Sequence, residues 1–232
     1  MSLPKLLETA VAGATLLQIA KQSQDYIAAA TGHKGESLGT ILGDIRLKRK
    51  ENAEAVLGGA HLTLLNLGLK ASEVPLRVLQ PAMEGASLED DPDLRQAWVN
   101  LLANAADPRE LMKVHPSFPR ILQLLSPFDA RFLDAWREAV EVEGPRNYDQ
   151  YELIGFANKA GLRGNPFQDG GDTLSFFSTI ETLKSHGLIT TSFFNSSSDA
   201  DVGPPPELFY RFSLSALGLA FIGACQPPPP HA

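Results

Sequence analysis

The stretch from Pro81 to Leu133 decides the fold of this chain: PAMEGASLEDDPDLRQAWVNLLANAADPRELMKVHPSFPRILQLLSPFDARFL. Three helices are predicted to begin in close succession along it. Asp91 and Ser126 each stand directly before a proline, which is typical of a capping side chain followed by the first residue of a helix. Ser117 is expected to open a shorter helix between them. We therefore expect the rest of the chain to pack onto these helices.

The helix after Asp91 is expected over residues 92–106, with a single apolar stripe anchored by Trp98. Asn100 and Asn104 lie one turn apart on it, and either a partner or solvent is expected to face them. Acidic residues crowd the start of this helix. We interpret them as charges that stabilise the positive end of the helix dipole, because their spacing lacks the glycine and the distal glutamate of a calcium loop. They are Glu84, Glu89, Asp90, Asp91 and Asp93.

Upstream, apolar residues at helical spacing predict four helices. The longest is amphipathic and is interpreted as a core or partner helix. A glycine pair is expected to separate the second helix from the third. The predicted elements are helices over 3–30, 36–57, 60–70 and 73–83, with the break at Gly58 and Gly59.

Downstream, the pattern predicts further helices and two strands, with a long polar loop between the strands. In the helix that follows Asp172, a good cap, the residues expected to be buried are Leu174, Phe177, Ile180 and Leu183. Helices followed by a strand, a loop and a strand are typical of a winged helix-turn-helix. The elements are helices over 117–125, 127–142, 149–160, 173–186 and 214–225, and strands over 188–194 and 208–213.

The sequence thus predicts a mainly α fold. We expect an N-terminal helical bundle over residues 1–110. A winged helix-turn-helix-like domain with a small antiparallel β-hairpin is expected over 111–226, and a disordered tail over 227–232.

Composition indicates a globular protein with no strong affinity for phosphate. The 232 residues carry a net charge of −7, spread over both halves, whereas nucleic-acid binders usually show a basic footprint. The single cysteine, Cys225, excludes a disulfide within one chain and suits a reducing compartment. Neither a secretory signal nor a membrane-spanning stretch is recognised, so we expect a cytoplasmic protein without membrane contact.

Basic residues are the candidate contacts for nucleic acid or for a protein partner. They comprise the run Arg46, Lys48, Arg49 and Lys50, and the scattered Arg146, Lys159, Arg163, Lys184 and Arg211. Phosphate binding depends on such cations, and the predicted wing carries Asp199, Asp201 and Glu207 instead. We therefore expect a protein partner or a second copy of the chain, and the alternative is a winged-helix DNA-binding regulator or sensor.

No known catalytic motif is present in the sequence. HExxH, GxxxxGK[ST], GxSxG and GxGxxG are all absent, and the five histidines fall in unrelated contexts. Cys225 stands in an apolar segment, where a buried thiol is usually inert. We expect no enzyme activity, no cofactor and no metal.

The order of four motifs resembles the abortive-infection alpha family of bacterial and phage-encoded proteins. They are LGTILGDI (Leu38 to Ile45), ASLEDDPDLRQAWVNLLANAAD (Ala86 to Asp107), HPSFPRILQLLSPFDARFL (His115 to Leu133) and LGLAF (Leu217 to Phe221). The resemblance implies a role in defence against phage. It supplies neither a mechanism nor catalytic residues.

Overall fold

The computed structural model describes residues 38–110, 113–163, 166, 172–195 and 208–230. This part of the chain is mainly helical with one small antiparallel sheet, as the sequence predicts. The helix expected over 3–30 and the loop over 196–207 lie outside it. The elements are α1 (Leu38–Asn66), α2 (Leu76–Ser87), α3 (Pro92–Ala105), α4 (Phe118–Leu124), α5 (Pro127–Glu143), β1 (Tyr148–Asp149), α6 (Gln150–Lys159), α7 (Thr173–Ser185), β2 (Ile189–Asn195), β3 (Leu208–Leu214) and α8 (Ala216–Ala224).

The start of α3 confirms the predicted cap. The Asp91 carboxylate accepts hydrogen bonds from the backbone N–H groups of Asp93 and Leu94, at 3.0 and 3.1 Å. Glu89 Oε1 in turn accepts from the backbone N–H of Asp91 at 2.9 Å. Two members of the acidic cluster therefore satisfy backbone donors at this helix start, as the electrostatic interpretation requires.

The start of α5 is also capped as predicted. Ser126 Oγ accepts from the N–H of Asp129 at 3.2 Å, and Asp129 Oδ2 accepts from the N–H of Ser126 at 2.8 Å. This reciprocal pair is a capping box. Ser117 precedes α4 but its side chain makes no capping bond, because its hydroxyl lies 2.8 Å from Nδ1 of His115.

The predicted break at Gly58 and Gly59 is wrong, because α1 continues through both glycines. A Cβ atom at Gly59 would lie 2.8 Å from Cγ2 of Val99 on α3. Glycine at this position is therefore explained by the close approach of two helices, and it costs α1 only about 1 kcal/mol. The described residues up to Glu51 and those from Asn52 onward belong to separate compact units, and residue 110 lies inside the second.

The second unit has a core built around two tryptophans. Trp98 on α3 and Trp136 on α5 are fully buried. Trp98 packs against Gly85 of α2, where an added Cβ would lie 2.5 Å from the indole ring. Trp136 stacks on Phe156 of α6, with ring centroids 5.9 Å apart. These contacts hold the helices of both predicted domains on one hydrophobic core.

The sheet has three strands in the order β1–β3–β2, all antiparallel. The hairpin of β2 and β3 confirms the prediction, whereas β1 was not expected. Tyr148 of β1 pairs with Phe212 and packs edge-on against Trp136, with centroids 5.7 Å apart. A strand of two residues shows no alternation, so only its pairing with β3 identifies it.

The C-terminal residues 227–230 lie against the second unit. Pro228 is buried. The carbonyl of Pro229 accepts from Arg109 Nη2 at 2.9 Å, and Asp107 binds the same guanidinium at 2.7 Å. This part of the predicted tail therefore packs onto the protein.

Candidate interaction surfaces

The exposed side of α7 carries two large apolar residues among polar ones. The predicted buried face is wrong at its N-terminal half, because the buried residues are Phe176, Thr179, Ile180 and Leu183. Leu174 is 82% exposed, and Phe177, which stacks edge-on against Phe176, is 44% exposed. Two large apolar side chains therefore reach solvent where the sequence predicted core. We call Leu174 and Phe177 the α7 surface.

The charges of α7 cancel. Lys184 Nζ lies 3.8 Å from Glu181 Oε1, one turn earlier on the helix. Both side chains are largely exposed, so the pair contributes little to stability. It leaves the outward side of α7 with no net charge to attract phosphate.

A buried hydrogen bond fixes how α7 is turned. Thr179 Oγ1 donates to Oδ1 of Asp129, the carboxylate that also caps the start of α5. Both side chains are buried. A buried carboxylate that lost this donor would be left undersatisfied, so rotation of α7 about its axis is opposed. Leu174 and Phe177 are thus held on the outside.

Arg146 is neutralised within its own segment. Its guanidinium binds Glu143 and Glu152, both at 2.5 Å, and lies 4.1 Å above the ring centroid of Tyr148. The hydrogen bonds to Glu152 and Glu143 raise the pKa of Arg146, and the bond from Arg146 lowers the pKa of Glu152. This predicted contact residue is therefore part of the local structure.

The other cations of the C-terminal half are spread around it. Arg211 on β3 stands opposite Asp149 and Ser192 in the sheet register. Lys159 is in the last turn of α6, and the carbonyl of Arg163 accepts from the N–H of Asp172 at the start of α7. Lys184 lies at the other end of that helix, about 18 Å away at 1.5 Å per residue. These residues do not form one patch.

The basic run belongs to the first unit. Arg46, Lys48, Arg49 and Lys50 lie on α1 and are all exposed. Helical spacing places Arg46, Arg49 and Lys50 on one side and Lys48 on the other. The run therefore lies along a helix of the first unit, and its role as a contact for nucleic acid or a partner stays a prediction.

Asn100 and Asn104 form a contact that sequence analysis did not assign. Both are buried, and they donate to backbone carbonyls at the C-terminal end of α8. Asn100 Nδ2 reaches the carbonyl of Cys225 at 2.9 Å, and Asn104 Nδ2 reaches those of Ala224 and Gln226 at 3.0 and 2.7 Å. Their partner is the chain's own last helix. The sequence signal for this buried contact was a pair of asparagines one turn apart in an otherwise apolar helix.

An open groove of about 400 Å³ lies among α3, α5 and α8. Apolar residues, the amides of Gln96, Asn100 and Gln226, and the charged Asp93, Arg131 and Asp134 line it, with Cys225 among them. Gln226 Nε2 donates to Asp134 at 3.1 Å. Burial and the nearby Asp134 raise the pKa of the Cys225 thiol, so the thiol stays protonated and is a poor nucleophile.

The described residues contain no group of three side chains suited to bind a metal ion. None of the helices in the described part is both long enough and apolar enough to cross a bilayer.

Comparison with known proteins gives one result. The family model described as abortive infection alpha matches residues 67–225, which is more than half of the chain. No curated protein and no solved structure matches. The match spans α2 to α8 and includes Asn100, Asn104 and the α7 surface. The chain belongs to the abortive infection alpha family.

Proposed function

We propose that this protein acts in abortive infection by binding another protein, without catalysing a reaction, and that the α7 surface makes the contact. The observation that carries the proposal is the exposure of Leu174 and Phe177 on a helix whose orientation is fixed from beneath. Contiguous apolar patches of several hundred Å² mark interaction sites on protein surfaces, and Leu174 and Phe177, one turn apart, would form the centre of such a patch. The family relationship supports the setting, which is defence against phage.

The topology supports a winged-helix assignment for the C-terminal half. Helix α5 is followed by β1, two helices and the β2–β3 hairpin, which is the element order of a winged helix. In such domains the second helix of the helix-turn-helix pair usually carries the contact residues. Here that helix is α7. The assignment rests on element order alone and is therefore an analogy.

The alternative function is that of a DNA-binding regulator. Lys159 at the end of α6 and Arg163 in the segment after it, both exposed, favour it. Against it, Arg146 is held by two glutamates and Lys184 by Glu181. Leu174 and Phe177 offer no hydrogen bonds to base edges or phosphates. Besides Lys184, the exposed side chains of this helix that could donate them are the hydroxyls of Thr173, Ser178 and Ser185. A protein contact therefore explains more of this helix.

A plaque assay tests the proposal. Cells that express the wild-type chain are challenged with phages that it restricts, and the double variant Leu174→Glu/Phe177→Glu is expected to abolish restriction. The matched control is Leu62→Glu/Leu65→Glu, which places the same charges at two exposed leucines of α1. The control is expected to restrict phage as the wild type does.

Two further measurements complete the test. Circular dichroism must show that both double variants remain folded, and light scattering decides whether the α7 surface binds a second copy. Restriction by the α7 variant at the wild-type level would contradict the proposal. So would a shift of duplex DNA at physiological salt by the wild type that Lys159→Ala/Arg163→Ala removes.

A further inference from the structure

Two arginines that form no ion pair with any described residue lie in one groove of the second unit. The groove measures about 480 Å³ and runs between α2 and α4, with Arg77 on the first helix and Arg120 on the second. Neither guanidinium makes an ion pair or a hydrogen bond with the described residues. Four other arginines of this unit are ion-paired: Arg109, Arg131, Arg137 and Arg146.

Neutral hydrogen-bonding groups line the same groove. Ser117, Gln80 and Gln123 contribute a hydroxyl and two amides. The one carboxylate of the lining, Glu84, accepts from Gln80 Nε2 at 3.1 Å. Two guanidinium groups against one carboxylate make the groove positive, in a chain whose net charge is −7. An isolated positive groove on an acidic protein attracts an anionic ligand.

The lining identifies the chemistry of that ligand. Guanidinium groups bind carboxylates or phosphates through paired N–H donors. No aromatic side chain is among the residues that line the groove, so a nucleobase would have nothing to stack on. Glu84 would repel a doubly charged phosphate more strongly than a single carboxylate. The highly exposed Leu76 on the rim provides an apolar contact.

We propose that the groove between α2 and α4 binds an acidic peptide segment of a partner protein, with carboxylates on Arg77 and Arg120 and an apolar side chain on Leu76. This site lies on different helices from the α7 surface and does not rest on the function proposed above. The protein would then have two contact sites, an apolar one at the α7 surface and a mainly polar one in this groove.

A direct binding experiment tests the proposal. The probe is a short fluorescein-labelled peptide of alternating glutamate and leucine, titrated with the full chain at physiological salt and followed by fluorescence anisotropy. Arg77→Ala and Arg120→Ala are each expected to lower the affinity about tenfold, because each removes a charge-assisted hydrogen bond. Arg163→Ala is the matched control, since it removes one unpaired arginine outside the groove. It is expected to bind the peptide as the wild type does.

The outcomes separate the possible ligands. In an isotope-labelled sample, the Nε–Hε signals of Arg77 and Arg120 are expected to shift on addition of the peptide. Absence of saturable binding would overturn the proposal, as would an equal loss of affinity in Arg163→Ala. Displacement of the peptide by inorganic phosphate or by a single-stranded oligonucleotide would also overturn it. Leu174→Glu/Phe177→Glu is expected to bind the peptide normally, so this test and the plaque assay can fail independently.

Discussion

Helices α3 and α7 depart from the usual pattern of burial in opposite directions. On α3, Asn100 and Asn104 are polar and buried. On α7, the apolar side chain of Leu174 is exposed, and that of Phe177 is partly exposed. The asparagines bind backbone carbonyls of α8, so the chain itself explains why they are buried. Nothing in the described part of the chain covers Leu174.

The difference shows where a contact with another molecule is to be sought. A buried amide donor without a partner would cost the fold roughly 1–3 kcal/mol, and the Nδ2 groups of both asparagines find their acceptors within the chain. Asn104 Oδ1 has no hydrogen-bond partner among the described residues. An exposed leucine costs almost nothing and needs no internal partner. A buried polar residue such as Asn104 therefore reports on folding, whereas an exposed apolar residue such as Leu174 reports on binding.

The largest effect is expected where α8 meets the rest of the protein. A Cβ atom at Gly218 would collide with the backbone carbonyl oxygen of Leu188, which also accepts from the N–H of Ser215 at 2.9 Å. We expect Gly218→Ala to lower the unfolding free energy by about 3 kcal/mol, as overpacking does when the obstacle cannot move. Urea denaturation measures the change.

Gly155 on α6 provides the control for that substitution. A Cβ atom there would meet no heavy atom within 4 Å. Gly155→Ala should therefore raise the unfolding free energy by up to about 1 kcal/mol through helix propensity. Equal destabilisation by the two substitutions would contradict the packing of α8 against Leu188.

The next largest effect on stability is expected from loss of the asparagine contact. Asn104→Ala leaves the carbonyls of Ala224 and Gln226 without their side-chain donor, and we expect a loss of about 2 kcal/mol in the unfolding free energy. Asn158→Ala, at an exposed position of α6, is expected to change it by less than about 0.5 kcal/mol. If Asn104→Ala left the unfolding free energy unchanged, α8 would not be held by α3. The buried asparagines would then no longer contrast with the exposed residues of α7.

A smaller effect follows from the charge network of Arg146. The hydrogen bond from Arg146 lowers the pKa of Glu152 below its ordinary value of 4.5. Because the fold favours the charged carboxylate, the stabilisation is complete above the unfolded pKa and is lost as pH falls through the folded pKa. The difference in unfolding free energy between wild type and Glu152→Gln should shrink on acidification. An increase in this free-energy difference on acidification would contradict the assignment of the stabilisation to the Arg146–Glu152 hydrogen bond.

The smallest effect on stability is expected on the α7 surface. Leu174→Ser should change the unfolding free energy by less than about 0.5 kcal/mol, because the side chain is already in water. Thermal unfolding of the variant beside that of wild type measures it. A loss as large as that of Asn104→Ala would show that Leu174 packs within the fold, and the α7 surface would then lose its functional meaning.

The helix caps were read correctly from the sequence, whereas the meaning of Gly59 and the existence of β1 were not. The caps at Asp91 and Ser126 bind backbone groups within three residues, so sequence suffices to predict them. The close approach that explains Gly59 involves Val99 on another helix, and β1 depends on β3, far along the chain. Neither dependence appears in the local pattern.

The candidate surface was missed for a related reason. In the segment LSFFSTI, apolar residues at helical spacing can be grouped into two possible buried stripes. One runs through Leu174 and Phe177, and the other runs through Phe176 and Ile180. Periodicity alone does not choose between them. The choice is made by Thr179, whose hydroxyl binds Asp129 on α5. Charge composition did favour a protein contact, and the neutral outward side of α7 agrees with it.

Site-specific crosslinking measures the central claim most directly. A photoreactive amino acid replaces Leu174 in one strain and Leu62 in another, and both are irradiated during phage infection. The account predicts one discrete crosslinked protein species at position 174, formed during infection, and none at position 62. Equal labelling at the two positions, or no crosslink at position 174 in cells that restrict the phage, would contradict it.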